Sequence, residues 1–141
     1  MKKLAFGFLA LALAMGALLA VLPGQQVMAD PGDVYVATTG DDLTGDGTAG
    51  NPYQTIDKGI DEAIAGDTVH VAAGTYVENI TMKGGVVIQG AGADVTSING
   101  TRAGSVVTSI GLDATAKLAG FTITNGSAFT GGGMYNENSS P

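Results

Sequence analysis

The sequence contains no cysteine, no tryptophan, one histidine and only six basic residues among 141. Without cysteine there is no disulfide framework, no thiol nucleophile and no thiolate metal site. The single histidine, His70, cannot by itself build a histidine-rich metal centre or an acid–base dyad. No cluster of Lys and Arg exists, so the chain lacks the electrostatic footprint of a nucleic-acid binder or of a protein held on an anionic membrane. Charged residues make up only 13% of the chain. Stability therefore has to come from packing and backbone hydrogen bonds.

Glycine, by contrast, is abundant: 23 residues, without a collagen period. Small and β-branched residues on this scale suit closely stacked strands better than a helical bundle. The one long apolar run, Leu4–Leu22, follows Lys2 and Lys3 and is broken by Pro23-Gly24. Val27-Met28-Ala29 then supplies a small-x-small cleavage tripeptide, so residues 1–29 are predicted to be a signal peptide. A retained anchor is the competing reading, since the run approaches the ~20 residues that span a bilayer. The proline–glycine break and the placement of the tripeptide favour cleavage, which would leave no membrane span. The remaining Asp30–Pro141 keeps Lys58, Lys83, Arg102 and Lys117 against 13 acidic residues, a net charge of −9. The expected location is secreted, extracellular or at the cell surface, and the Lys-Lys start suggests a bacterial export signal.

Residues 30–65 are expected to form a strand (Asp33–Ala37), an acidic loop (Thr38–Gly50) and one amphipathic helix. That helix is predicted over Gln54–Ala65, with Ile56, Ile60, Ala63 and Ile64 as its apolar stripe and Gly66 as its stop. Gly59 inside it costs about 1 kcal/mol of helix stability relative to Ala. From residue 66 to residue 141 only short apolar runs occur, punctuated by glycine. Gly66–Met82 sets the pattern: Val69 and Val71 alternate with Thr68 and His70, Gly74 breaks the run, and Tyr76, Val77, Ile80 and Met82 resume it. Further extended segments are expected at Val86–Gly90, Thr96–Asn99, Ser105–Ile110 and Ala116–Thr124.

Two of these segments end alike. Ile98-Asn99-Gly100-Thr101 returns as Thr124-Asn125-Gly126-Ser127, with the asparagines 26 positions apart, inside the ~20–50-residue range of solenoid repeats. One reading stacks Asn99 on Asn125 at equivalent corners of successive coils. The other makes each Asn-Gly a hairpin turn and the chain an antiparallel meander. The first is favoured, because the flanking runs do not pair by length.

Gly66-Asp-Thr-Val-His-Val-Ala-Ala-Gly-Thr-Tyr-Val-Glu-Asn79 resembles the opening segment of secreted right-handed parallel β-helix proteins, the pectin-lyase-like superfamily. Gly131-Gly132-Gly133-Met134-Tyr135-Asn136 is similar to the repeats of polymorphic outer-membrane protein passenger domains, though here it occurs once. The resemblance implies an all-β right-handed parallel β-helix, a solenoid, with one short N-terminal capping α-helix. That helix would cover the end of the strand stack, as terminal caps of repeat proteins do. No C-terminal counterpart is evident, so the chain is expected to be the N-terminal piece of a longer protein, or to self-associate through its open C-terminal coil.

For chemistry, Asp41, Asp42 and Asp46 are the candidate metal ligands, since Ca²⁺ takes several oxygens at short spacing. The loop is not an EF-hand, because position twelve is Pro52 or Tyr53 rather than Glu. A solvated turn built on Asx bonds explains the same residues. No catalytic residues are assigned. Asp94, Arg102 and Asp113 are the loop residues a lyase or hydrolase could recruit, but no motif ties them together. Glu78 is expected to accept backbone N–H bonds at a corner, and His70 to face outward or pair locally. The Asn-x-Ser/Thr triplets at Asn79, Asn99, Asn125 and Asn138 match the glycosylation pattern but arise readily in so polar a composition. The expected function is a secreted or cell-surface module, non-catalytic, acting as a scaffold or adhesin or binding polysaccharide or cell-surface glycan. The alternative is the N-terminal part of a polysaccharide lyase or glycoside hydrolase, and a calcium-stabilised structural module ranks behind both.

Overall fold

The computed structural model describes residues 32–141. The predicted signal peptide, residues 1–29, lies outside them. The described elements, in order, are β1 (Asp33–Val36), α1 (Ile56–Glu62), β2 (Thr68–Val71), β3 (Gly74–Tyr76), β4 (Ile80–Thr81), β5 (Val87–Gly90), β6 (Thr96–Asn99), β7 (Val107–Ile110), β8 (Lys117–Ala119), β9 (Thr122–Thr124) and β10 (Met134–Glu137). The strands form three sheets, ordered β1-β2-β5-β8, β3-β6-β9 and β4-β7-β10. Every strand–strand ladder is parallel. From β2 onward each set of three consecutive strands gives one strand to each sheet. Among the described residues the fold is thus all-β and parallel, with one short helix, and the hairpin reading of Asn-Gly is excluded.

Period-two alternation explains which side chains meet. In the first sheet Val34, Val69, Ile88 and Leu118 occupy one register row. Tyr76, Ile98 and Ile123 do so in the second, and Ile80, Val107 and Met134 in the third. Strands rise about 4.8 Å apart, so these rows stack apolar side chains along a common interior. Val69, Ile88, Ile98 and Val107 are fully buried there, each contributing roughly 1.5–3 kcal/mol by leaving water.

Corners are made where close approach forbids a side chain. Gly120 separates β8 from β9, so the Ala116–Thr124 run is two strands and a corner rather than one strand. A Cβ on Gly120 would lie 2.4 Å from the Gly90 carbonyl oxygen, and one on Gly90 would lie 2.3 Å from that of Gly120. At the next corner Asn125 Nδ2 donates to Asn99 Oδ1 at 2.7 Å, so the two asparagines are bonded between successive layers, one register position apart, since Asn99 pairs with Thr124. The Gly131–Asn136 segment feeds β10, which lies in register along β7, with Tyr135 opposite Thr108.

The helix is shorter than its apolar pattern suggested. Thr55 caps it, accepting from Lys58 N at 3.2 Å, and Ala63 already leaves helical geometry. Ile64 therefore drops out of the stripe and is exposed. Its place is taken by Gly59, which is buried against β1 and β2. A Cβ there would sit 2.6 Å from Val36 Cγ2 and 3.0 Å from Val69 Cγ1. The residue that weakens the helix is the one that lets it lie against the strands. Lys83 Nζ closes the other end, donating to the carbonyls of Asp61 (2.9 Å) and Ala63 (2.6 Å), which have no partner within the helix.

Candidate functional site on the outward face of the four-stranded sheet

Alternation that sends Val34, Val36, Val69 and Val71 inward sends their neighbours out. On the first sheet, Tyr35, His70, Gln89 and Ala119 form one outward row, and Asp33, Thr68, Val87 and Lys117 the next. The Tyr35 and His70 rings stack, with centroids 5.1 Å apart and planes 21° from parallel. His70 Nε2 lies 2.8 Å from Asp33 Oδ1, so the histidine is held both by an aromatic ring and by a carboxylate. Beside this pair the chain leaves a shallow cleft of about 180 Å³. Ala37, Ala49, Pro52 and Ala72 wall it, and Tyr35, Val36, His70 and Val71 complete its lining.

A second cleft, about 200 Å³, is lined by Thr38, Gln54, Thr55, Thr75, Tyr76, Val77 and Glu78. Glu78 is the group there with the most chemical promise, because burial and the neighbouring Asp57 and Asp42 push its carboxyl above the usual range, against the pull of two backbone bonds. Both of its oxygens are engaged, however. Oε1 accepts from Ile56 N at 3.0 Å and Oε2 from Asp57 N at 2.9 Å, which satisfies two orphan amides of the helix start. Its role is to tie β3 and the segment after it to α1, as the sequence led one to expect.

The acidic loop is likewise held together from within. Asp41 Oδ1 accepts from Leu43 N (2.7 Å) and Thr44 N (3.0 Å). Asp46 Oδ1 accepts from Thr48 N (3.0 Å) and Thr48 Oγ1 (2.7 Å). Those bonds hold both carboxyls below their ordinary value. Asp42 instead reaches forward to Gln54 N, Thr55 N and Thr55 Oγ1, anchoring the loop to the helix cap. Among the described residues no group of three His, Cys, Asp or Glu side chains is gathered as a metal ion would need. Asp94, Arg102 and Asp113 fall in the β5–β6, β6–β7 and β7–β8 connections, so the winding places them at three different corners.

Sequence reasoning overlooked two groups. Asp67 is buried and accepts from Gly32 N (2.7 Å) and Ile64 N (2.8 Å), pinning the chain where the helix feeds β2. Tyr35 is one residue of the expected Asp33–Ala37 strand, and only the parallel pairing of β1 with β2 puts its ring on His70.

Residues 38–89 match a family described as a protein of unknown function, DUF1565, which is associated with parallel β-helix proteins. The matched segment runs from the acidic loop through α1 to β5. No curated protein and no solved structure matches the chain.

Proposed function

We propose that the protein is a secreted or cell-surface right-handed parallel β-helix module that binds glycan on its outward sheet face and catalyses no reaction. Right-handed winding follows from the near-universal hand of parallel crossovers. The observation that carries the binding reading is the Tyr35–His70–Gln89 row beside an apolar-walled cleft. Aromatic side chains with polar edges offer sugar rings both a packing surface and hydrogen bonds. Nothing comparable supports catalysis, since Glu78 is engaged as a cap and the other loop candidates stand at separate corners. The module also has a candidate partner in a second copy of itself, docked on the edges of β8, β9 and β10.

The test expresses the full chain in a bacterial host and asks three things of it. Export with a new N-terminus at Asp30 supports the location. Retention on insoluble polysaccharide, lost in Tyr35→Ala, supports the binding face. Release of unsaturated or reducing sugar from any retained polysaccharide would overturn the non-catalytic reading in favour of a lyase or hydrolase. Sedimentation as a monomer at all concentrations would remove self-association.

A further inference from the structure

We infer that the Tyr35–His70 cleft selects an uncharged polysaccharide and seats one sugar ring of it, an inference that rests on the glycan-binding reading. The argument is one of charge and size. Each cation of the described residues can be placed relative to the cleft. Lys58 Nζ is bound to Glu62 and sits over the Tyr53 ring. Lys83 Nζ is engaged by the carbonyls at the end of α1. Arg102 lies in the β6–β7 connection, off this sheet. Lys117 is on β8, two strands beyond His70 and three beyond Tyr35, which at about 4.8 Å per strand puts its backbone ~14 Å from that of the tyrosine.

A negative charge stands next to the cleft's His70. Asp33 is exposed and contacts His70 directly. A uronate or sulfated chain seated there would lie beside this carboxylate, on a chain carrying 13 acidic residues against six basic, and no Lys or Arg side chain lines the cleft to pair it. Carboxylate recognition normally uses the bidentate fork of Arg or a point-charge Lys, and neither is present. A metal bridge between acidic sugar and protein is equally unprovided for, since no metal-ligating group of three occurs among the described residues.

What the cleft does offer suits hydroxyl groups and C–H faces. Ala37, Ala49, Pro52 and Ala72 supply apolar walls. Outside its lining, Asp33 and Gln89, both exposed, and Thr68 add acceptors and donors on the same face, with Gln89 Nε2 already donating to Gly90 O. At about 180 Å³ the cleft is well below the ~300 Å³ at which pockets for drug-sized ligands begin. It has room for one ring, so the rest of a longer chain would lie over the exposed residues of the face.

Isothermal titration with cellohexaose, xylohexaose and chitohexaose as neutral probes, and with hexagalacturonate and a heparin hexasaccharide as acidic ones, tests this. Binding of a neutral hexasaccharide, weakened about tenfold in Tyr35→Ala and retained in Tyr35→Phe, is the expected result. Ala72→Phe, which fills the cleft from an exposed position and leaves the core untouched, should abolish it. Tighter binding of hexagalacturonate or heparin than of every neutral probe would overturn the charge inference while leaving the glycan reading intact. Neutral binding indifferent to both Tyr35→Ala and Ala72→Phe would overturn the site. No binding by any probe would overturn the glycan reading itself.

Discussion

The two ends of the strand stack are built differently. At the β1 end, the edge of β1 and the apolar residues beneath the helix are covered. Tyr35 N donates to Gly47 O, Ala37 N to Tyr53 O, and Tyr53 N to Tyr35 O, so the acidic loop and Tyr53 just after it pair the outer edge of β1. The helix lies over β1, β2 and β4, with Ile56 and Ile60 buried. At the other end β8, β9 and β10 each have a neighbour on one side only. Leu118, Ile123 and Met134, which continue the buried rows of Ile88, Ile98 and Val107, are only partly buried. Register position and residue type are matched between the layers. The difference in burial comes from whether another layer covers them, so the energy of a solenoid residue is set by its neighbours along the stack.

That comparison predicts unequal costs for the same deletion. Ile88→Ala removes a side chain with no exposure, in the middle of the first sheet, and is expected to cost about 2–5 kcal/mol, transfer and cavity together. Leu118→Ala removes its in-register successor from the uncovered layer, where water already reaches it, and should cost about 1 kcal/mol. At roughly 4–8 °C per kcal/mol for a domain near this size, thermal melts separate the two easily. Equal losses would mean that β8 is covered in solution.

Glu78→Ala attacks the covered end without touching the apolar rows. It leaves the amides of Ile56 and Asp57 without their acceptor, for an expected loss of about 1–3 kcal/mol. Urea melts of the variant against Leu118→Ala should rank Glu78→Ala as the more damaging. The cost is also pH-dependent. Burial first, and the nearby acidic groups after it, raise the folded pKa of Glu78 above its ordinary value of 4.5. A raised folded pKa contributes stability that is full below the unfolded value and is lost as pH rises through the folded one. The gap between parent and Glu78→Ala should therefore be wider at pH 4 than at pH 7. A gap that widens towards neutral pH would mean that the two backbone bonds outweigh desolvation.

The ends also differ in how far the sequence revealed them. Alternation at Thr68–Val71, the Asn-Gly recurrence and the glycine punctuation carried the parallel stacking, because strand period and corner chemistry are local. Gly59 looked like a flaw, since its justification is the 2.6 Å approach to Val36 Cγ2, a contact between distant segments. Ile64 was placed in the stripe by spacing alone, and the early end of the helix at Ala63 removed it. Gly120 was legible in hindsight, because it recurs against Gly90 one layer below, yet a run of Ala, Leu, Phe and Ile around it disguised the corner. The candidate site was the least legible part. Tyr35 and His70 lie far apart in sequence, and only layer-to-layer register brings their rings together.

The smallest expected effect concerns the acidic loop of the covered end. Asp41, Asp42 and Asp46 have the composition of a calcium loop, but composition supplies ligands only if the carboxylates converge. Here Asp41 and Asp46 turn back on their own loop and Asp42 reaches the helix cap, each satisfying amides that would otherwise lack an acceptor. A calcium ion would have to break those bonds and bring three carboxylates together before gaining anything from them. Ca²⁺ and a chelator are accordingly expected to leave the melting temperature unchanged. Any ligand that binds the folded chain alone must raise it by mass action. A rise that grows with Ca²⁺ and disappears in Asp42→Asn would show that the loop rearranges around the ion, and the covering of the β1 end would then depend on a metal as well as on backbone bonds.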